Sequence, residues 1–311
     1  MLLGGIMSRR KKNALPLILI ILVFIAACVL FSDSLIAQIN GLFGQDTAAT
    51  TASSGATGDL KITVLNTGNS DCSIIQTPNG QTVMIDAGES DDFELISSFL
   101  RENGISTIHT VIATHPHADH IGSMTDVLNH FDVQNFYMTK ARHSSKLYKE
   151  MLETLAAHSE TEVHTPKIGS GFTLDGVSFV FLGPIAEYSE LNDTSIVTYI
   201  SYGQNSFLFA GDVEKEAEED LVELFSSKLD ADVLKVPHHG SKGSSTKDFL
   251  KMVSPQYAII TADQANDYGH PSDKTLKRLQ DAGATIYRTD HNGNISIVSD
   301  GTTITVTPQN P

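Results

Sequence analysis

The distribution of apolar and polar positions divides the chain into four parts. Residues 14–32 are almost entirely apolar and carry no charge, and an apolar run of this length can cross the hydrocarbon core of a bilayer as a helix. Residues 33–59 end in a stretch of Thr, Ala, Ser and Gly that buries too little apolar surface to fold. We therefore predict a basic cytoplasmic segment at 1–13, a transmembrane helix at 14–32, a flexible linker at 33–59 and a folded domain at 60–311.

The basic block at residues 9–12 predicts the orientation of this helix. Basic residues flanking a transmembrane helix favour the cytoplasmic side, so the folded domain is expected outside the cell, held at the cell membrane by a single pass. The segment 25–28, which ends in Cys28, also resembles a lipobox. A lipoprotein or a secreted, cleaved form is therefore the alternative, and it too places the domain outside the cytoplasm.

The periodicity of the folded domain mixes strands with amphipathic helices. A turn at Pro78-Asn79-Gly80 separates two strands, and further hairpins are expected between 172 and 210. Hairpins combined with crossover helices favour a layered α/β sandwich over a purely parallel sheet. The predicted strands are 61–66, 73–76, 82–86, 107–114, 233–236 and 257–261, and the predicted helices are 91–102, 119–131, 146–158, 213–225, 246–253 and 273–282.

Charge and cysteine content narrow the classes of function. The chain contains two cysteines, Cys28 and Cys72, which excludes a disulfide framework and a cysteine-rich zinc site. Its net charge is −16, and four basic residues lie in the N-terminal segment, so the folded domain is more acidic still. An acidic surface argues against a stand-alone, high-affinity nucleic-acid binder. A small substrate or a locally basic groove stays compatible with this charge.

A histidine-rich string follows the predicted strand 107–114 and opens the next helix. Three imidazoles and a carboxylate converging on one turn suit zinc, manganese or iron. A solvated turn in which the carboxylate caps the helix is the ordinary alternative, and it accounts for one histidine better than for three. The candidate metal ligands in this string are His115, His117, Asp119 and His120.

Further candidate ligands follow two other apolar strands. Asp212 comes directly after the strand that ends in Phe207-Leu208-Phe209, and His238 and His239 follow the strand 233–236. Because all of these residues lie just beyond the C-terminal end of a strand, they can meet at one edge of the sheets. The sequence therefore predicts a centre for one or two divalent transition-metal ions, zinc or manganese.

These motifs resemble the metallo-β-lactamase superfamily, and most closely the hydrolase domain of ComEC-like competence proteins. The resemblance extends from about Lys61 to about Ile297 and includes the segments 64–72 and 85–88. It implies a four-layer αββα sandwich in which Asp86 orients the metal-ligand loop. It also implies one metal site from Asp119, His120 and either His238 or His239, and a second from His115 and His117, with Asp212 between them.

The same resemblance implies which residues take part in catalysis and substrate binding. Asp119, His239 and Asp86 are the expected catalytic residues, and the histidine of the 238–239 pair that is not a ligand is a candidate proton donor to the leaving group. The superfamily places a histidine where this chain has Asn192-Asp193-Thr194-Ser195, so the site of His115 and His117 is expected to bind its ion weakly. Asn192 and Ser195 are candidate contacts to substrate or metal, and His270 lies either in an ordinary turn or against the substrate.

The implied activity is metal-dependent hydrolysis of a phosphodiester, of nuclease type, with a metal-bound hydroxide as nucleophile. Hydrolysis of a small extracellular ester, such as a phosphorylcholine ester or a lactone, is the first alternative. A non-catalytic surface domain that contains metal is the second. The expected partners are the membrane, through the N-terminal helix, and a nucleic acid or small ester substrate; the sequence indicates no protein partner.

Overall fold

The computed structural model describes residues 58–311. The predicted cytoplasmic segment, the predicted membrane helix at 14–32 and nearly all of the predicted linker lie outside the described residues. Within the described part, no helix combines the length and the apolar character that a membrane span requires.

In residues 58–311, fifteen strands form two sheets. They are β1 (Leu60–Val64), β2 (Ser73–Gln76), β3 (Thr82–Ile85), β4 (Thr107–Ala113), β5 (Asp132–Met138), β6 (Glu162–His164), β7 (Gly171–Leu174), β8 (Val177–Phe181), β9 (Thr198–Tyr202), β10 (Asn205–Phe209), β11 (Val233–Lys235), β12 (Tyr257–Ile260), β13 (Thr285–Arg288), β14 (Ile295–Ser299) and β15 (Ile304–Pro308). The first sheet has the order β15-β14-β1-β2-β3-β4-β5-β6, and the second has the order β13-β12-β11-β10-β9-β8-β7. The expected mixture is present, because β3 to β6 and β10 to β13 run parallel whereas the other pairs are antiparallel.

Eight α-helices accompany the sheets in the described residues. They are α1 (Phe93–Glu102), α2 (Ala118–Ile121), α3 (Met124–His130), α4 (Lys146–Ala157), α5 (Lys215–Phe225), α6 (Lys247–Val253), α7 (Asp273–Asp281) and α8 (Thr289–Asn292). Three short 3₁₀ turns lie at Asn192–Thr194, Ser226–Leu229 and Pro237–Gly240.

The apolar side chains form separate cores on the two faces of each sheet. Side chains such as Ile62, Phe179 and Phe207 pack between the sheets. On the outer face of the first sheet, Phe136 packs in a core shared with α1, α3 and α4. On the second sheet Leu208 alternates with Phe207 and is buried on the opposite face. The predicted layered sandwich is therefore confirmed.

The predicted continuous helix at 119–131 is wrong, because the chain breaks into α2 and α3. The backbone N–H groups of Gly122 and Ser123 donate to the carbonyls of Gly88 and Ala87 instead of continuing a helical ladder. A Cβ at Gly122 would lie 2.3 Å from the backbone carbon of Glu89, so only glycine permits this close approach. The break joins the ligand string to the loop that follows β3.

The strand ends converge on one edge of the sandwich. In the first sheet Asp86 follows β3 and His115 lies just beyond β4, and these two strands are parallel neighbours. In the second sheet Asp212 lies beyond β10 and His239 beyond β11, which are also parallel neighbours. The topology thus brings candidate ligands from both sheets to the same edge.

We predict that a chain beginning at Leu60 folds by itself and stays soluble without detergent. Leu60 is the first fully buried core residue, and β1 pairs with both β2 and β14, so the core is complete from this position onward. Cooperative thermal unfolding and size-exclusion chromatography would test this. An aggregated short chain beside a full-length chain that stays soluble without detergent would contradict both the folding prediction and the membrane-helix prediction.

Candidate metal centre

Four residues from both sheets bring one potential ligand atom each into a small volume. These atoms all lie within 4.8 Å of one another, and they belong to Asp119, His120, Asp212 and His239. His120 Nε2 is 3.3 Å from Asp212 Oδ2, and His239 Nε2 is 3.4 Å from Asp119 Oδ2. The structure therefore unites the predicted set of Asp119, His120, Asp212 and one histidine of the 238–239 pair.

The unpaired atoms of this set fit a divalent transition metal. His120 Nε2, His239 Nε2 and Asp212 Oδ1 are buried and have no aligned hydrogen-bond partner. Buried polar atoms without partners are rare and costly, and two imidazoles with two carboxylates are a donor set that zinc and manganese accept. A divalent ion held by these four side chains would satisfy all three atoms.

Asp212 is presented by a turn that requires glycine. The preceding Gly211 adopts φ +55°, and a Cβ there would lie 2.7 Å from the Cβ of Ser195. Ser195 Oγ also accepts a hydrogen bond from the Asp212 backbone N–H at 3.0 Å. Ser195 is completely buried and supports the turn that carries Asp212, and its predicted contact to substrate or metal stays a prediction.

The imidazole of His120 is held from behind by Asp86. His120 Nδ1–H donates to Asp86 Oδ2 at 2.7 Å, and the same carboxylate accepts from the backbone N–H and the hydroxyl of Thr114 at 2.8 and 2.7 Å. Because the proton lies on Nδ1, the lone pair of His120 Nε2 is available to bind a metal ion. Asp86 is thus placed to orient a ligand, as the sequence predicted.

A second network holds His239, and sequence reasoning missed it. His239 Nδ1–H donates to Thr261 Oγ1 at 3.1 Å, and the Thr261 hydroxyl donates to Asp71 Oδ1. The other oxygen of Asp71 accepts from Lys235 Nζ at 2.7 Å. Lys235 and Asp71 are only 3% and 5% exposed. The one sequence feature that could have indicated this network is Lys235, because a charged residue within the apolar strand 233–236 needs a buried partner.

The electrostatics of the centre follow from burying several charges together. Burial alone would raise the pKa of Asp71, but Lys235 and the imidazole of His239 outweigh it and hold the pKa below its ordinary value. Burial likewise opposes charge on Asp212, and the imidazoles of His120 and His239 lower its pKa well below the usual range. The pKa of His120 is raised, because the surrounding carboxylates outweigh its burial. Asp71 and Asp212 are therefore carboxylates at neutral pH.

His115 and His117 form a separate pair beside this set. His115 Nε2 lies 3.0 Å from His117 Nδ1 and 4.0 Å from Asp212 Oδ2. The ring of His115 is held from the other side by Ser195 Oγ, 3.3 Å from Nδ1. The pair is positioned to hold a second ion next to Asp212, although its atoms do not join the tight four-residue set.

The remaining predicted residues lie around the rim. His238 Nδ1 contacts Glu214 Oε1 at 3.0 Å, and Asn192 Nδ2 donates to the same oxygen at 3.3 Å. Asn192 Oδ1 is buried without a partner. The structure therefore places Asn192 beside the centre, whereas His238 Nε2 stays 3.9 Å from Asp212 Oδ2 and outside the convergent set.

Neighbouring histidines in the 238–239 pair face different ways because both adopt left-handed backbone conformations. Their φ values are +52° and +50°. This turn sends His239 into the centre, where it is 1% exposed, and leaves His238 at the rim. The ring of His270 lies 5.2 Å from that of His238 and 6.4 Å from that of His239. Burial and these neighbouring imidazoles lower the pKa of His270 to about 4.

Comparison with known proteins agrees with this geometry. A family model described as the metallo-beta-lactamase superfamily matches residues 65–262. The chain is 34% identical over 203 residues to ComE operon protein 3 of Bacillus subtilis, covering 65% of this chain and 26% of that protein. It is 38% identical over 121 residues to competence protein ComA of Neisseria gonorrhoeae, covering 38% of this chain and 17% of that protein. The chain thus spans about a quarter or less of the length of these relatives.

Solved structures share the fold at low sequence identity. The metallo-beta-lactamase fold protein YhfI from Bacillus subtilis superposes with a TM-score of 0.51 at 12% identity, covering 80% of this chain and 99% of that one. The metallo hydrolase Igni18 from Ignicoccus hospitalis gives a TM-score of 0.53 at 15% identity, covering 76% and 98%. These similarities establish the fold.

We predict that the protein retains about one tightly bound divalent ion and takes up a second one weakly. Four donors converge on the first site. For the second site, the stretch in which the superfamily has a further histidine contains Asn192, whose neutral amide is a poorer ligand for these metals than imidazole. Asn192→His should tighten the second site and leave the first unchanged. Elemental analysis after dialysis and calorimetric titration with zinc or manganese would measure both sites. Two equally tight sites in the unmodified protein would contradict this assignment.

We further predict that the Asp71–Lys235 pair supports metal binding through His239. Lys235→Met leaves a buried carboxylate unpaired and should lower the free energy of unfolding by about 3–5 kcal/mol. Loss of the Thr261–Asp71 support in Asp71→Asn should weaken the tight site by about 10- to 100-fold.

The control for this prediction is Lys277→Met, which removes an exposed ion pair with Asp281 and should change neither quantity appreciably. Metal affinity and chemical denaturation would be measured for all three variants. Wild-type metal affinity in Asp71→Asn would remove Asp71 from the support of His239.

Proposed function

Because the chain belongs to the metallo-beta-lactamase superfamily and is one of its metal-dependent hydrolases, we propose that it is a phosphodiesterase that cleaves nucleic acid. The observation that carries the proposal is the convergence of Asp119, His120, Asp212 and His239 with three unpaired buried atoms. A site of this kind can hold the divalent ions that catalyse hydrolysis of a negatively charged phosphodiester.

The protein's own side chains provide positioning and a fixed charge pattern. A divalent ion held by Asp119, His120, Asp212 and His239 would lower the pKa of water at the site and polarise a phosphoryl oxygen. Asp86 and the Thr261–Asp71 pair hold His120 and His239 in the orientation that such ions need. We expect the Asn192 amide and His238, at the rim, to contact a substrate that reaches the centre.

The relatives support nucleic acid as the substrate. One of them is named a competence protein, and another, recombination protein 2 of Haemophilus influenzae, is 27% identical over 227 residues. Competence and recombination both concern DNA. The shared region is the part of those proteins that corresponds to this hydrolase domain, so we carry over the chemistry and not their remaining functions.

We also propose that the domain works outside the cell, tethered at the cell membrane. The support is the apolar run at 14–32 directly after the basic residues 9–12. A lipid-anchored or secreted form is the alternative for this segment.

Hydrolysis of a small ester, such as a phosphorylcholine ester or a lactone, is the second candidate. The net charge of −16 favours it, because an acidic surface repels polyanions at long range. A non-catalytic surface domain is less well supported, because the four-residue donor set is complete.

We predict that Asp212→Asn abolishes hydrolysis and leaves the fold intact. The substitution keeps the volume of the side chain but removes the charge that faces both candidate metal sites, so turnover should fall by at least about 10³-fold. Cleavage of a labelled single-stranded oligonucleotide would be followed with added manganese or zinc, beside a chromogenic phosphodiester and a lactone. Circular dichroism would report on the fold.

The control is Asp281→Asn, an exposed carboxylate on α7 that should leave activity unchanged. Retained turnover in Asp212→Asn would exclude Asp212 from the reaction. A wild-type protein that hydrolyses the lactone but no phosphodiester would favour the second candidate.

A further inference from the structure

Tyr268 is unusually exposed for a large side chain. It is 76% exposed, whereas the other exposed large hydrophobic residues in the described part of the chain reach at most 50%. Single exposed apolar residues are ordinary on protein surfaces, so exposure alone assigns no role. Tyr268 lies two residues before His270, at the rim of the metal centre, so its exposed ring is close to where a substrate would bind.

Three rings form a nearly parallel series from solvent to a candidate metal ligand. The ring of Tyr268 stacks on that of His270 at 5.9 Å with an interplanar angle of 26°. His270 in turn lies parallel to His239, with centroids 6.4 Å apart and an angle of 19°. The second face of Tyr268 has no ring against it in the described structure, so a planar group stacked there would continue the series away from the metal centre.

The loop that carries Tyr268 is held in shape by its own hydrogen bonds. The side chain of Asn266 accepts from the backbone N–H of His270 at 2.9 Å and donates to the His270 carbonyl at 2.6 Å. Gly269, at φ +70°, makes the turn between the two stacked rings possible. The tyrosine is therefore presented in a defined orientation, which reduces the entropy cost of stacking a ligand on it.

A cleft near the centre carries two basic side chains. Its volume is about 760 Å³, and it is lined by Lys140, Arg142 and Thr194, among others, together with one carboxylate, Glu187. Neither Lys140 nor Arg142 forms an ion pair with any carboxylate in residues 58–311. The cleft adjoins the centre, because His143 follows Arg142 and its ring lies 6.0 Å from that of His117. Two free cations beside the centre contrast with the net charge of −16.

We propose that Tyr268 is a stacking platform for a nucleobase of an unpaired nucleic-acid strand whose scissile phosphate lies at the metal centre. The inference rests on the proposed phosphodiesterase function and specifies its substrate as a single strand. Stacking needs a base that is not paired, and an aromatic face accepts every base, which makes the contact independent of sequence. Lys140 and Arg142, in the cleft near His117, would hold the strand's backbone.

The test compares Tyr268→Ala with Tyr268→Phe in the full-length protein in detergent. Tyr268→Ala should lower kcat/KM for a single-stranded oligonucleotide about 10-fold, mainly through a higher KM. Tyr268→Phe keeps the aromatic face and should have the kcat/KM of the wild-type protein. A small phosphodiester without a base, methyl p-nitrophenyl phosphate, should be hydrolysed equally by all three proteins. Leu95→Ala, at an exposed position on α1, is the matched surface control.

A binding measurement separates this inference from the proposed function. In the Asp212→Asn background no strand should be cut, and an oligonucleotide with 2-aminopurine beside the phosphate reports stacking by a loss of fluorescence. If the fluorescence no longer falls with Tyr268→Ala but still falls with Tyr268→Phe, the result supports the inference even where the wild-type protein shows no cleavage. Equal binding and cleavage with and without Tyr268 would overturn it and leave the proposed function standing. An equal loss on the small phosphodiester would overturn it as well, since Tyr268 would then only support His270.

Discussion

The charge balance of a buried acidic cluster is the constraint on which this structure depends. Asp71, Asp86 and Asp212 are at most 5% exposed, and Lys235 is the one buried lysine in residues 58–311. A single ammonium group cannot compensate three buried carboxylates, and uncompensated buried charge is strongly destabilising. Imidazoles that accept protons supply part of the missing positive charge, and divalent ions would supply it more completely. Metal binding and the stability of this sheet edge are therefore expected to be coupled.

Part of the backbone strain in residues 58–311 lies at the same edge. Asp86, His238 and His239 all adopt positive φ, which costs a non-glycine residue on the order of 1–3 kcal/mol. Each of these residues is tied to the centre or its rim by side-chain contacts: Asp86 binds His120, His239 binds Thr261, and His238 contacts Glu214. The contacts that orient the ligands thus also hold the strained turns, so a variant that cuts one contact affects geometry and stability together.

The sequence revealed the ligands better than their support. Strings such as His115 to His120 stand at strand ends and carry their chemistry locally, so the sheet edge where they meet follows from the topology of parallel strands. The support of His239 joins residues separated by 164 and 190 positions, and no local pattern pairs Asp71 with Lys235 or Thr261. The break between α2 and α3 was missed for the same reason, because it depends on backbone bonds to the loop after β3. The choice between His238 and His239 required the left-handed turn, which neighbouring histidines do not reveal.

An acidic domain can act on an anionic strand if its attraction is local. At physiological ionic strength charges farther apart than about 8 Å are largely screened, so the net charge of −16 slows the approach of a polyanion more than it weakens contacts already made. Divalent ions held at the centre, the basic side chains of Lys140 and Arg142 and the uncharged face of Tyr268 would each act on the part of a strand that touches them. A surface of this kind would not hold duplex DNA broadly, as a basic surface does. It would retain an unpaired strand only where a phosphate already lies at the metal centre, so binding and cleavage would be confined to the same place.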